Sequence, residues 1–340
     1  MKKNRVHLTM LSLVLLALIM GLWGCGKDSD DAKQKKGIRM GVFLYRGDDA
    51  FISMLQEALQ EEAREYEQES GIEVTLDILD AKGNQNTQCS QVERQLALGC
   101  DVLCVNIVDR FASSVVIDKA MAADTPVVFF NREPVEEDLR RWEKVYYVGV
   151  EAKETAVLQG QILVDAYQKD PSSLDRNGDG QVSYVLLEGE TSHQDSLIRT
   201  EWSIQTVKDG GVPLKKLTGG IANWERSQAS ALMEQWLKEY GDQIEVVICN
   251  NDEMALGALD AIERADIMDG TIKLVGIDGT PGGLEAFEEG KLLGTVEADK
   301  EEYAEAIFNI AAALSGNGDE EVLPQTPYYW CTQRVLVHEK

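Results

Sequence analysis

Short apolar runs alternate with longer amphipathic stretches along nearly the whole chain. The runs IRMGVFLY (38–45), IEVTLDIL (72–79), DVLCVNIV (101–108), TPVVFFN (125–131), KVYYVGV (144–150), QVSYVLL (181–187), IEVVICN (244–250), IKLVGID (272–278) and GTVEA (294–298) have the length and β-branched content of buried strands. Stretches such as FISMLQEALQEEAREYEQ (51–68) lie between them, with apolar residues at helical spacing and acids on the opposite face. Strand–helix alternation of this kind predicts an α/β protein with parallel sheets covered by helices on both faces. At 340 residues the chain is long enough for two such doubly wound units.

The N-terminus breaks the pattern. Lys2, Lys3 and Arg5 precede an apolar run over 8–23, followed by LWGC at 22–25. A basic start, a short apolar stretch and a small residue before the cut describe a secretory signal over 1–24. The run is short for a bilayer span. Cys25 directly after Gly24 resembles the lipid-acceptor cysteine of bacterial lipoproteins, and the polar GKDSDDAKQKKG that follows suits a flexible tether to residue 37. The expectation is an extracytoplasmic protein that touches the membrane only through a lipid on Cys25.

Charge narrows the partners. Lys and Arg number 33 against 59 Asp and Glu, a formal net charge of −26, which leaves no basic patch for nucleic acid. Cys89, Cys100, Cys104, Cys249 and Cys331 form no framework, and Cys104 and Cys249 fall inside strand runs as small core residues, so no essential disulfide is expected.

In open parallel sheets ligands bind beyond the carboxyl ends of the strands. Asp49 and Phe51 follow the first run, Asn106 the third, Asn131 the fourth, and His193, Asp195 and Arg199 the sixth. Asn250, Asn251 and Asp252 follow IEVVIC, Asp278 closes KLVGI, and Trp224 sits in ANWERSQ. Amides and carboxylates both pair with hydroxyls, which donate and accept, and aromatic faces pack on a sugar ring, so the set suits a neutral polyol. No phosphate-binding glycine loop is present. Each residue also has a structural use: Asp49 and Asp252 suit helix caps, Asn106 and Asn131 strand ends, Asp278 a turn, Trp224 the core and His193 a surface loop.

Residues 175–183, DRNGDGQVS, match the front of a calcium loop of the EF-hand type. Asp175, Asn177 and Asp179 stand at positions 1, 3 and 5, Gly180 at 6, the Gln181 carbonyl at 7 and the Ser183 hydroxyl at 9. Position 12, normally a bidentate Glu, is Leu186.

The stretches IRMGVFLYRGDDAF, VNIVD, PVVFFNREP, YYVGV, DRNGDGQVSYVLLEGETSHQDSLIR, NWERSQA, IEVVICNNDEMALGALDA, GIDGTP and GTVEAD together resemble the galactose/glucose-binding proteins of bacterial ABC importers, within the type I periplasmic-binding-protein superfamily. The resemblance runs from about residue 38 to 315. It implies two lobes joined by a three-segment hinge, with the ligand in the cleft between them. Crossings near 130, 298 and 320 would give a first lobe of 38–130 plus 299–319 and a second of 131–298 plus 320–340.

Carried over, the resemblance implies that Phe51 and Trp224 sandwich the sugar and that Asp49 bonds the 4-hydroxyl. Asn106, His193, Asp195, Arg199, Asn251 and Asp278 would hold the remaining oxygens. It also supplies the missing calcium ligand as Glu245, giving Ca2+ a structural role. The implied partners are D-galactose, D-glucose or a methyl-galactoside and an ABC permease with its cytoplasmic ATPase, served by a monomeric carrier that is not an enzyme. Ala298 and Ala50 replace family asparagines near the sugar, and Gly47 replaces an aromatic residue. A sensor adaptor for a chemoreceptor or histidine kinase would use the same closed form. A glycoside-processing enzyme would need a carboxylate pair across a glycosidic bond, and a DNA-binding regulator would carry its DNA-binding helices where this chain has an export signal.

Overall fold

The computed structural model describes residues 37–268 and 270–338. The signal segment, Cys25 and the tether to residue 36 lie outside the described residues.

Among the described residues, twelve strands form two six-stranded sheets. The first contains β1 (Ile38–Leu44), β2 (Val74–Asp80), β3 (Val102–Val105), β4 (Val127–Phe130), β5 (Val145–Gly149) and β11 (Tyr328–Trp330). Its order is β11-β5-β4-β3-β1-β2, and every pair is parallel. The second contains β6 (Val182–Glu188), β7 (Leu214–Ile221), β8 (Val246–Cys249), β9 (Lys273–Asp278), β10 (Gly294–Ala298) and β12 (Gln333–Val337), in the order β12-β10-β9-β8-β6-β7. Only the edge strand β12 runs antiparallel.

The two sheets share one winding. In each, the first strand lies between the second and the third, so the strand order reverses between β1 and β3 in one lobe and between β6 and β8 in the other. These reversal points are where open α/β sheets leave a crevice.

The inner strands are buried on both faces, as their continuous apolar runs require, while the edge strands β2, β7, β11 and β12 are only partly buried. In the first lobe α1 (Ala50–Ser70) and α10 (Lys300–Leu314) cover one face and α2 (Gln85–Ala97) and α3 (Ser113–Ala122) the other. In the second, α5 (Ala152–Lys169) and α6 (Gln194–Asp209) face α7 (Arg226–Tyr240) and α8 (Asp252–Arg264) across the sheet. A one-turn α4 (Glu136–Leu139) precedes β5, and α9 (Pro281–Glu288) follows β9. Cys104 and Cys249 are fully buried in these cores, and the five described cysteines are free thiols.

Two of the expected crossings move. The chain does not leave the first lobe near 130: β5 pairs with β4, Val127 opposite Val145, and the crossing comes after Gly149. It does not return finally near 320 either, because β11 adds to β5, Tyr328 opposite Tyr147, and the last crossing is at Cys331 and Thr332. Apolar 144–150 and the aromatic YYW are thus the last two strands on one side of the first sheet, with YYW at its edge, rather than parts of the second lobe. The middle passage follows Ala298, where β10 ends and the chain turns into α10. Neighbouring passages are stitched together: Cys331 N donates to Gly149 O at 2.8 Å and Asp299 N to Thr332 O at 3.2 Å.

Candidate functional site

The carboxyl ends of the two sheets face each other, and the loops leaving them enclose one chamber. Tyr45, Asp49, Phe51, Asn131 and Arg132 line it from the first lobe; His193, Asp195, Arg199, Trp224, Asn251 and Asp278 line it from the second. About 30 Å³ is open to the centre of a water molecule. With a water radius of about 1.4 Å added all round, that is a chamber about 6–7 Å across, the size of one small ring.

Local sequence explains each placement. Asp49 caps α1, its Oδ1 accepting from Ile52 N at 3.1 Å, while its Oδ2 accepts from the Tyr45 hydroxyl. Phe51 follows in the first turn and packs edge-on against Tyr303. His193 caps α6 through Nδ1, which accepts from Asp195 N at 3.1 Å. Asp195 and Arg199 lie one turn apart on α6 and meet at 3.3 Å. Arg199 also donates to Asn250 O at 2.9 Å and to Asp278 Oδ1 at 3.3 Å. Asn251 caps α8, accepting from Met254 N at 2.9 Å. Trp224 reaches the chamber because Gly189 has no side chain; a Cβ there would sit 2.2 Å from the indole.

The backbone is strained at this site. Asn131, Trp224 and Asp278 have φ of 61°, 66° and 113°, conformations that cost about 1–3 kcal/mol each. For Asp278 the compensation comes from Asp252 behind it. This fully buried carboxylate accepts from Gly279 N at 2.8 Å, Thr280 N at 2.9 Å and Thr295 Oγ1 at 2.7 Å.

Burial sets the protonation states. It lowers His193 well below the ordinary histidine range, with Arg132, Arg199 and Arg110 acting in the same direction, so the ring is neutral at pH 7. Burial raises Asp195, and raises Asp278 well above the usual carboxylate range, against the pull of Arg199 in both cases. Three acid side chains, two guanidiniums and a neutral imidazole therefore present donors and acceptors side by side. That composition fits an uncharged polyhydroxylated ligand. Three N–H groups of lining residues, Arg132 Nε, Arg199 Nε and Trp224 Nε1, are buried without a hydrogen-bond partner.

Eight of the nine residues expected at the sugar site line the chamber. Asn106 does not. It is fully buried behind the lining, where its Oδ1 accepts from Tyr45 N at 3.2 Å and its Nδ2 donates to Phe130 O at 3.2 Å and Asn131 Oδ1 at 3.0 Å. Its amide is consumed in holding two lining residues, Tyr45 and Asn131. Tyr45 and Arg132 escape the sequence reading because one resembles the last residue of a strand and the other a loop charge. Both follow strand ends, the signal that picked out the others. Ala298 and Ala50 are not among the lining residues; Ala50 borders an acidic groove along α1 and α10.

The lobes also meet directly. Arg46 pairs with Glu225 at 2.9 Å and Arg132 with Glu190 at 2.9 Å, while Gln194 donates to Glu133.

The 175–183 loop lies at the opposite, amino end of the second sheet. Asp179 N donates to Asn177 Oδ1 at 2.8 Å, Gly180 N to Asp175 Oδ2 at 2.9 Å and Gln181 N to Asp179 Oδ1 at 2.9 Å. Glu245, 1% exposed, reaches in from just before β8, accepting from Asn177 N at 3.0 Å and Ser183 N at 2.8 Å. The residue expected to close the loop is therefore folded against it. Among the described residues no three His, Cys, Asp or Glu side chains are gathered as a metal cluster: the carboxylates are turned to N–H groups of the loop. The hard-oxygen donor set and the buried Glu245 carboxylate fit Ca2+ in kind.

Two doubly wound lobes, three strand-like crossings and an enclosed chamber at facing sheet ends define a hinged solute-binding protein. Residues 40–319 match the periplasmic binding protein domain, and the chain belongs to that family, one of binding proteins rather than enzymes that work outside the cytoplasm. Among curated relatives, the D-galactose/methyl-galactoside binding periplasmic protein of Haemophilus influenzae is 32% identical over 316 residues, 93% of this chain and 89% of the relative. A putative rhizopine-binding protein of Rhizobium meliloti is 31% identical over 82% of this chain and 84% of the relative. Among solved structures, an ABC transporter solute-binding protein of Bacillus halodurans with bound myo-inositol superposes with a TM-score of 0.73 at 26% identity, covering 89% of this chain and 95% of that one. No described helix is long and apolar enough to cross a membrane.

Proposed function

We propose that the protein is the sugar-binding component of an ABC importer, capturing one molecule of D-galactose, D-glucose or a methyl-galactoside and presenting it to the permease. The observation that carries this reading is the chamber: one ring in size, enclosed by both lobes, lined with paired acids, amides and guanidiniums and with an aromatic residue from each lobe. Asp49 and Asn131 from one side and His193, Asp195, Arg199, Asn251 and Asp278 from the other supply fixed donors and acceptors for hydroxyls. Phe51 and Trp224 supply apolar surface for the ring faces. Because the ligand touches both lobes, it stabilises the closed form over the open one, and closure is the signal a permease reads.

The relative that binds galactose and methyl-galactoside supports the hexose reading. The myo-inositol-bound neighbour makes cyclitols the natural control. Calorimetric titration of the protein with D-galactose, D-glucose, methyl β-D-galactoside, D-ribose and myo-inositol tests it. Saturable one-to-one binding of a hexose, tighter than of ribose or inositol, is expected; a preference for inositol or ribose would replace the hexose assignment.

In this reading the 175–183 loop with Glu245 holds a structural Ca2+, through the side chains of Asp175, Asn177, Asp179 and Glu245, the carbonyl of Gln181 and the hydroxyl of Ser183. The ion would neutralise the acids and fix the start of β6, far from the sugar. Cys25 would carry the lipid that keeps a monomeric carrier at the membrane; mass analysis of the N-terminal peptide tests that acylation.

A further inference from the structure

We propose that Tyr303 is a built-in bias against closure: its hydroxyl has no partner when the lobes are shut and meets water when they part. The inference rests on the ligand-capturing role proposed above, but not on which sugar fills the chamber.

Tyr303 lies in the first turn of α10, directly after the middle crossing, and is only 1% exposed. Apolar neighbours hold its ring. Phe51 packs edge-on against it with centroids 5.9 Å apart, and Ala298 and Cys331 belong to the same core cluster. The preceding residue ties the last crossing to the same helix turn. Glu302 Oε2 accepts from Thr332 N at 2.9 Å, and its Oε1 accepts from the Tyr329 hydroxyl at 3.2 Å. Tyr303 therefore stands where the middle and last crossings meet, at the pivot about which the lobes turn.

Its hydroxyl is buried there without a hydrogen-bond partner. The groups around it are committed elsewhere. Asn131 N donates to Val148 O at 3.1 Å, and Asn131 O accepts from the Tyr147 hydroxyl at 2.9 Å. Asp195 and Arg199 of the second lobe act on the Tyr303 hydroxyl by charge, yet they bond each other at 3.3 Å. The ligand does not reach it either, because Tyr303 stands behind Phe51 and outside the chamber lining. A hydroxyl buried without a partner is unfavourable, and water relieves it. Since the second lobe closes over this side, parting the lobes uncovers the hydroxyl and admits water. The penalty thus falls on the closed form alone. It biases the unliganded chain toward the open form, and the contacts of the sugar must overcome it.

Tyr303→Phe removes the hydroxyl and keeps the ring. The test compares wild type and this variant by calorimetry and stopped-flow binding with D-galactose, D-glucose and myo-inositol. Small-angle scattering with and without the best probe follows closure, and melting curves confirm that the variant folds. Apparent affinity scales with the population of the binding-competent form. The variant is therefore expected to bind at least about five-fold more tightly, the equilibrium weight of one unpaired buried hydroxyl, through slower dissociation. Its unliganded scattering should move toward the liganded profile. Unchanged affinity would mean that the hydroxyl is served equally in both forms, and weaker binding that it serves the ligand; either result overturns the proposal. If wild type binds none of the probes, the monosaccharide reading fails by itself. Identical unliganded scattering in wild type and variant would then overturn this inference separately.

Discussion

Asn106 and Asn250 occupy the same place in the two lobes. Each follows the strand across the reversal point from the lobe's first strand, and each is fully buried. Asn106 Oδ1 accepts from Tyr45 N, just past β1, at 3.2 Å; Asn250 Oδ1 accepts from Gly189 N, just past β6, at 3.1 Å. Their own N–H groups donate back to Phe43 O at 2.9 Å and Leu187 O at 3.0 Å. A side-chain amide thus pins each crevice at the point where the ladder stops, and the lining residues are hung from these pins.

Removing the first pin should loosen the site without touching the ligand. Asn106→Ala leaves Tyr45 N without its acceptor and removes the donor to Asn131 Oδ1, at a cost of about 1–3 kcal/mol in stability, while the Phe130 carbonyl still accepts from Arg132 N. Denaturant unfolding should show that loss, and sugar affinity should fall with it as Tyr45 and Asn131 lose their support. Unchanged stability with lost affinity would instead make Asn106 a direct ligand contact.

Asp252 gives stability a defined pH dependence. Burial raises its pKa from 3.8 to about 7, against the lowering effect of Thr295, Thr280 and Gly279. The folded state then holds a proton that the unfolded state releases. The contribution of this group is full below the unfolded value near 4, declines as pH rises and is lost once pH passes about 7. Unfolding midpoints measured from pH 4 to 8 should carry that slope, and Asp252→Asn should remove this part of it. A profile identical in wild type and variant would contradict the assignment.

Calcium removal should act on stability rather than on the chamber, since loop and chamber lie at opposite ends of the second sheet. Chelation, or Glu245→Gln, is expected to lower the melting temperature by several degrees, restored by added Ca2+ only in the wild type. Sugar affinity at a temperature where both forms are folded should stay within about two-fold. A melting temperature indifferent to chelator and Ca2+ would leave the loop a plain acidic turn.

The rim pair Arg46–Glu225 is more exposed than Arg132–Glu190, with side chains 22% and 34% accessible against 6% and 21%. Exposed pairs contribute about 0–1 kcal/mol and are screened by salt. Glu225→Gln is therefore expected to weaken sugar binding by less than about five-fold, with the difference disappearing by about 1 M salt. A loss that survives high salt would mean that Glu225 works through geometry rather than charge.

Much of this was legible in the sequence because parallel strands buried on both faces announce themselves as apolar runs, and because ligand residues follow strand ends. What escaped had physical reasons. LKKLTGGI, β7, carries a lysine pair and a glycine pair among only three apolar residues, as an edge strand does. The places of β5 and β11 in the first sheet depend on pairings between distant segments, which periodicity does not encode, so the crossings shifted by about 10–20 residues. Asn106 had the right type at the right place, yet a buried amide beside a backbone N–H satisfies itself before it meets a ligand. Tyr45 and Arg132 were hidden for the opposite reason: their types suggested a core ring and a surface charge, and only packing brings the cation over the ring inside the cleft.

The most direct test of the account is the stoichiometry and affinity of D-galactose and D-glucose binding by calorimetry in wild type, Trp224→Ala and Asp49→Asn. Each variant removes one wall of the chamber from a different lobe. The account predicts one molecule bound per wild-type chain and a loss of at least about 100-fold in Trp224→Ala, which deletes a large buried apolar surface. Asp49→Asn should lose about ten-fold or more. Binding that persists at wild-type strength in both variants would place the sugar outside the chamber and contradict the central claim.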